Sequence, residues 1–234
     1  MSHPRTGSHQ ITLKREYTLS RRRKTVSRTT IRTQLDQLRS TGRYDCARLN
    51  WRPIYDDKST WPVPYHLFWD SYVAKWIEGA CYFLADPDEY DEDIDQSVRE
   101  LVDMISSAQQ RDGYLNVHYT VVEQGKRWTN IRDMHELYNA GHLIEAAIAH
   151  KEYYRNNILL EPIEKYVSPI TEHFDPGEDQ SKGYSGHPEI ELSLFRLYAA
   201  AGNTGVRLGT ALYKLWDNMV DREMYLTGGI GAMA

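Results

Sequence analysis

The sequence predicts an all-α fold in which helical hairpins stack side by side and curl into part of an (α/α) toroid. Three observations predict it. Beyond residue 60, aromatic and aliphatic residues recur at spacings of three and four with almost no two-residue alternation. The segments so marked are joined by links that alternate between short and long, as in repeats whose units cannot bury their apolar faces alone. Candidate inner helices begin near Asp70, His135 and His187, spaced 65 and 52 residues apart. Because a hairpin reverses the chain twice, successive inner helices run parallel and their N-termini share one rim.

The elements follow in order. Residues 1–60 form a basic leading segment, and residues 61–234 the toroid fragment. Helices are expected near 67–85 and 92–110, joined by the tight link "DPDEY", then near 133–150 and 157–173, joined by "YYRNN". Further helices are expected near 187–202 and 206–222. The links "QRDGYLNVHYTVVEQGKRW", "DPGEDQSKGYSG" and "YLTGGIG" are longer, rich in glycine and aromatics, and feed the rim. In 133–150, Leu137, Ala140, Ile144, Ala147 and Ile148 fall on one arc, and His135, Tyr138, His142 and Glu145 on another. With Ala140, Gly141, Ala146 and Ala149 as small residues, that helix suits a site packed on most sides. Pro188 fits the first position of its helix, with Glu189 and Glu191 in the first turn, where negative charge complements the helix dipole.

Charge and composition narrow the functional classes. Net charge is −5, divided as 13 Lys and Arg against 3 Asp and Glu in residues 1–52, and 15 against 30 in residues 53–234. The run "SRRRK" could serve as a targeting signal or a nucleic-acid patch. No aromatic interleaving or nucleic-acid motif accompanies it, so a solvated helix face is the favoured reading and no nucleic acid is expected as partner. No run approaches the roughly 18 apolar residues of a membrane span, and the start lacks the apolar core of a secretory signal. A cytoplasmic protein without a membrane partner is therefore expected. Cys46 and Cys81 are far apart without CxxC spacing, so both read as plain thiols.

Polar residues at the rim are the candidate site. His135 and His142 are seven residues apart, about 10 Å along a helix axis, whereas the H-E-x-x-H signature places two histidines one turn apart on one ion. Metal binding by this helix is not expected. "GYSGHPEIE" sets Tyr184 and His187 between glycines at a helix start, a polar and aromatic surface suited to a sugar ring. Glycoside hydrolysis needs two flanking carboxyl groups, but Glu136, Glu145, Glu189 and Glu191 can each be explained as helix-face or first-turn acids.

Several blocks in one order, "GRYDCARLNW", "FWDSYVAKWIEGACYFLA", "AQQRDGYLN", "RWTNIRDMHELYNAGHLIEAA", "GHPEIELSLFRLY" and "LWDNMVDREMYLTGGIGA", resemble the β-L-arabinofuranosidase family of glycoside hydrolases, family 127. The resemblance runs from about residue 17 to the end. It implies a catalytic (α/α)6 toroid, followed in full-length members by β-sandwich domains, and retaining hydrolysis of terminal β-L-arabinofuranosides. It also implies a zinc-bound cysteine thiolate as nucleophile, with further cysteines and a glutamate on the metal and another glutamate as acid/base; a metal-held thiol is deprotonated at neutral pH.

Position by position, His135 of "HELY" and His187 of "GHPEIE" match histidines that contact arabinose. Asp70 matches an acid of a "DSD" motif that reads "DSY" here, with Tyr72 in place of the second aspartate. "AAAGNTG" leads almost directly into "VRLGTALYKLWDN", shorter than the family pattern by tens of residues, and "YLTGGIGA" stands just before Ala234, ahead of where the acid/base and metal blocks are expected. The expectation is a truncated, internally deleted member that binds an arabinofuranoside-type carbohydrate through His135, His187 and Asp70. It would have no catalytic residue, no metal ligand and no cofactor of its own. The alternatives are a non-catalytic helical module that binds a sugar or protein partner, self-association through exposed helix faces included, and an incomplete reading of a full hydrolase.

Overall fold

A computed structural model describes residues 18–49, 67–174 and 185–200, and all secondary structure among them is helical. The helix expected near 206–222 lies outside the described residues, as do Tyr184 and the links after Ala200. In chain order the helices are α1 (Thr18–Thr25), continued by a π-helical turn (Val26–Thr30) into α2 (Ile31–Ser40), then α3 (Trp69–Leu84) and α4 (Glu92–Ala108). After these come α5 (Val117–Val121), α6 (Glu136–Tyr154), α7 (Leu160–His173) and α8 (Glu189–Ala200).

The inner helices are α3, α6 and α8, and they run parallel. At their N-terminal ends Asn139 Nδ2 donates to the Leu67 carbonyl at 2.6 Å, and the Tyr138 and His187 rings lie 4.9 Å apart. At the other end Lys151 Nζ donates to the Ala200 carbonyl at 3.0 Å. The outer helices return antiparallel: Tyr154 at the end of α6 donates to Asp95 near the start of α4 at 2.7 Å, and His173 at the end of α7 stacks on Trp128 near the start of α6. Local chemistry sets the reversals. Asp91 caps α4 by accepting from the Ile94 N–H, Asp86 accepts from the Asp88 N–H in the "DPDEY" link, and Arg155 closes α6 in the left-handed region at φ 56°.

The core is the interior of this stack. Ala74, Ile77 and Ala80 of α3, Leu137, Ala140 and Ala147 of α6, Val98 and Leu101 of α4 and Ile163 of α7 are fully enclosed. From 136 to 150 every residue of α6 except Tyr138 and His142 is buried, which matches a helix surrounded on most sides. Gly141 lets α8 approach: a Cβ there would stand 3.1 Å or less from the backbone carbonyl of Glu189.

The basic N-terminal helices are more than a solvated face. Arg23 pairs with Glu89 at 3.0 Å, Arg39 with Asp93 at 3.3 Å, and Arg32 with Asp91, so the cations of α1 and α2 meet the acidic entrance to α4. The charge asymmetry of the sequence is thus partly an internal complementarity. Trp76 of α3 adds a hydrogen bond from its indole N–H to the Ile31 carbonyl at 2.9 Å.

Candidate functional site

The shared rim of α3, α6 and α8 carries a cluster of rings centred on Tyr138. His135 stands 5.7 Å from it, His142 4.5 Å, His187 4.9 Å and Phe68 6.1 Å, centroid to centroid. Phe68 also lies 4.9 Å from His135. Lys75 Nζ donates to the Tyr138 hydroxyl at 2.5 Å and stands 4.7 Å above its ring. Residues from three helix starts therefore converge although they are widely separated in sequence.

Backbone geometry aims the two histidines. His135 precedes α6 with φ 52° and ψ 27°, a left-handed conformation that costs a non-glycine residue on the order of 1 kcal/mol and turns its ring out of the helix toward Phe68. Burial lowers its pKa, helped by the nearby His187 and opposed by Asp133, so at neutral pH it is an uncharged ring with one donor and one acceptor. His187 is exposed, and its Nδ1 accepts from the Glu189 N–H at 3.2 Å. That bond occupies Nδ1 and leaves Nε2 as the ring's other polar atom. Gly186 allows the segment to seat on the chain beneath, because a Cβ there would collide with the Arg132 carbonyl.

Asp70 does not join the ring cluster. It lies in the first turn of α3 as the sequence suggests, but its side chain turns inward: both carboxylate oxygens accept from the Val117 N–H at 3.1 Å, which ties α3 to the start of α5. It borders an internal cavity of about 20 Å³ with Cys46 and Asn116, room for a single water. Burial raises its pKa to about 6. Phe68, the residue just before α3, is the one that reaches His135.

The remaining acids are structural supports. Glu136 is fully buried, accepts from the Tyr114 hydroxyl and, at 2.8 Å, from the Trp128 N–H, and burial raises its pKa to about 7. It thereby pins two rim loops against α6. Glu145 pairs with Arg196 of α8. His142 Nδ1 is 3.4 Å from Glu189 Oε1 but makes no hydrogen bond, and burial, aided by Lys75 and His187, lowers its pKa to about 4. His142 is a neutral ring at physiological pH, so this contact is no ion pair.

The described residues do not fit a thiolate-held metal centre. Among them no group of three or more His, Cys, Asp or Glu could hold a metal ion. Cys46 and Cys81 are buried, and burial pushes both thiols up, for Cys46 with the Asp70 carboxylate adding to the effect. Both stay protonated at neutral pH. Among the described residues no helix is long and apolar enough to cross a membrane.

The ring cluster brings together His135 and His187, the candidates named from the sequence, with Tyr138 from the same arc as His135. Phe68 and Lys75, which the sequence did not single out, join the cluster through the rotation of α3 against α6, and no local pattern records that rotation.

Comparison with known proteins places the fold. The family model for the β-L-arabinofuranosidase GH127 catalytic domain matches residues 12–206. A non-reducing end β-L-arabinofuranosidase of Bifidobacterium longum subsp. longum is 39% identical over 141 residues, which are 58% of this chain and 21% of that protein. The crystal structure of a GH127 β-L-arabinofuranosidase from Geobacillus stearothermophilus T6 superposes with a TM-score of 0.71 at 34% identity, over 86% of this chain and 32% of that one. A second solved GH127 β-arabinofuranosidase gives 0.73 at 26% identity, over 90% and 33%. The chain thus spans about a fifth of the curated relative and about a third of the solved ones. The fold it shares with them is part of an (α/α)6 toroid.

Proposed function

The chain belongs to the GH127 β-L-arabinofuranosidase family, and from that premise we propose that its rim binds a terminal β-L-arabinofuranosyl unit and that the 234-residue chain holds this sugar without cleaving it. The observation that carries the proposal is the convergence of His135 and His187 on Tyr138. The neutral His135 imidazole can both donate to and accept from hydroxyls, His187 has Nε2 left to meet one, and the Tyr138 and Phe68 rings offer faces for the C–H patches of a furanose. Lys75 supplies a further donor beside Tyr138. Asp70 acts behind the rim by fixing α3 to the 115–117 segment.

The chemistry of the described residues supports binding without cleavage. Hydrolysis at enzymatic rates demands about 8 kcal/mol or more of transition-state stabilisation, and neither buried thiol offers a nucleophile. Of the acids near the rim, Glu136 and Asp70 are committed to Tyr114, Trp128 and Val117, while Glu189 Oε1 lies 3.4 Å from His142 Nδ1. Binding by imidazoles and rings uses no cofactor. Calorimetric titration of the chain with methyl β-L-arabinofuranoside tests the reading: saturable binding, lost in His135→Ala and His187→Ala and unchanged by a chelator, is expected. Zinc-dependent release of L-arabinose by the purified chain would overturn the non-hydrolytic half, and equal heats for wild type and both variants the binding half.

One observation favours a second reading, in which the chain also associates through α8. Leu192, Phe195 and Tyr198 are 58%, 57% and 47% exposed and recur every three residues along one stripe. Light scattering that gives a monomer at all concentrations would exclude self-association by this face.

A further inference from the structure

Beside the rim, α2 and α3 enclose a groove with a cavity of about 370 Å³. We propose that it is a subsite for an acidic sugar, a uronate residue whose carboxylate is held by Arg43 and Lys75. The charges of the leading segment point to it. Arg23, Arg32 and Arg39 each meet a carboxylate, yet among the described residues neither Arg43 nor Lys75 forms an ion pair. Arg43 lies 5.2 Å over the Tyr72 ring, and its Nε is buried without a hydrogen-bond partner among the described residues. A carboxylate at position 72 would neutralise this wall; the tyrosine leaves it cationic and adds an aromatic face.

The rest of the lining suits a pyranose. Buried Trp76 closes the floor and half-exposed Tyr72 a wall, both apolar faces for ring C–H groups, while Gln34 and Gln37 of α2 present amide donors and acceptors for hydroxyls. A guanidinium and an ammonium lining one groove select a carboxylate over a neutral hydroxymethyl group. Lys75 belongs to both places, since it borders the groove and donates to Tyr138 at the rim. The groove is thus positioned for the residue next to a terminal sugar held at the rim. That connection rests on the proposed function above; the groove's own preference for a uronate does not.

The test separates the two. Binding of D-galacturonate, D-galactose and inorganic phosphate to the full chain is measured by ligand-observed NMR at fixed ionic strength. Galacturonate is expected to bind at least about tenfold more tightly than galactose and to lose about tenfold in Arg43→Gln, the scale of one charge-assisted hydrogen bond. Arg43→Lys should keep most of the affinity, and His135→Ala should leave galacturonate binding intact. No preference of uronate over galactose, or Arg43→Gln binding as wild type with an unchanged circular dichroism spectrum, would overturn the subsite. Phosphate binding as tightly as galacturonate would overturn the assignment to a sugar. Intact galacturonate binding together with no binding of methyl β-L-arabinofuranoside would uphold the groove and refute the rim.

Discussion

Replacing Glu136 by glutamine should change how stability depends on pH. The carboxyl is fully buried and its pKa is raised by burial from 4.5 to about 7, against the smaller opposing effects of its hydrogen bonds from Tyr114 and Trp128 and of Arg127. A carboxyl whose folded pKa lies above its unfolded value stabilises the fold fully below pH 4.5, and the contribution is lost as pH rises through about 7. A shift of this size is about 3 kcal/mol at 1.36 kcal/mol per unit. Glutamine imitates the protonated acid: its carbonyl can accept from the Trp128 N–H while its amide donates to the Tyr114 oxygen.

Wild type and Glu136→Gln should therefore be about equally stable near pH 4.5, and above pH 7 the variant should exceed wild type by about 3 kcal/mol. Comparing the pair cancels the opposite trend from His142 and His150. Burial lowers both of their pKa values to about 4, so their contributions are complete above 6.5 and are lost as pH falls through about 4. Urea denaturation followed by circular dichroism at pH 5, 6, 7 and 8 measures the difference directly. A gap that stays constant with pH would refute the claim that Glu136 is a buried acid holding the rim loops.

Two further outcomes follow from the contacts between inner helices. Gly141→Ala places a methyl group within 3.1 Å of the Glu189 backbone, so the gain of about 1 kcal/mol in helix propensity is outweighed by displacement of α8; thermal denaturation should show net loss, and affinity for methyl β-L-arabinofuranoside should fall because His187 moves. Arg196→Met leaves the Glu145 carboxylate, 4% exposed, without its cation. A destabilisation of about 2 kcal/mol at pH 7 is expected, reduced below the cost of a fully buried pair because Arg196 is partly exposed, and Glu145→Gln in the same background should recover much of it.

What was legible in the sequence was set by local periodicity. The apolar spacing of 133–150 located an inner helix, yet α6 begins at Glu136 and runs to Tyr154. His135 leaves the helix because its left-handed backbone is stabilised by packing on Phe68, a partner 67 positions earlier. The 67–85 and 92–110 segments matched α3 and α4 closely because Asp86 caps the turn in "DPDEY" and Asp91, just after it, caps α4. The direction of the inner helices was legible from the alternation of links, and with it the meeting of His135 and His187. Rotation about each helix axis was not. Asp70 shares the rim end of α3 but faces the Val117 N–H, a choice made by the packing of α3 on α5. The basic run was recognisable as a surface, but its acidic partners at 86–93 lie on another hairpin, so only the folded chain brings them together.

A sugar gripped between His135 and His187 is the central proposal. Two-dimensional 1H–15N spectra of the imidazole nitrogens during titration with methyl β-L-arabinofuranoside test this most directly. The ring signals of both residues should move together along one saturation curve while those of buried His150 stay fixed. Movement of only one of the two, or of neither while ligand binding saturates, would contradict it.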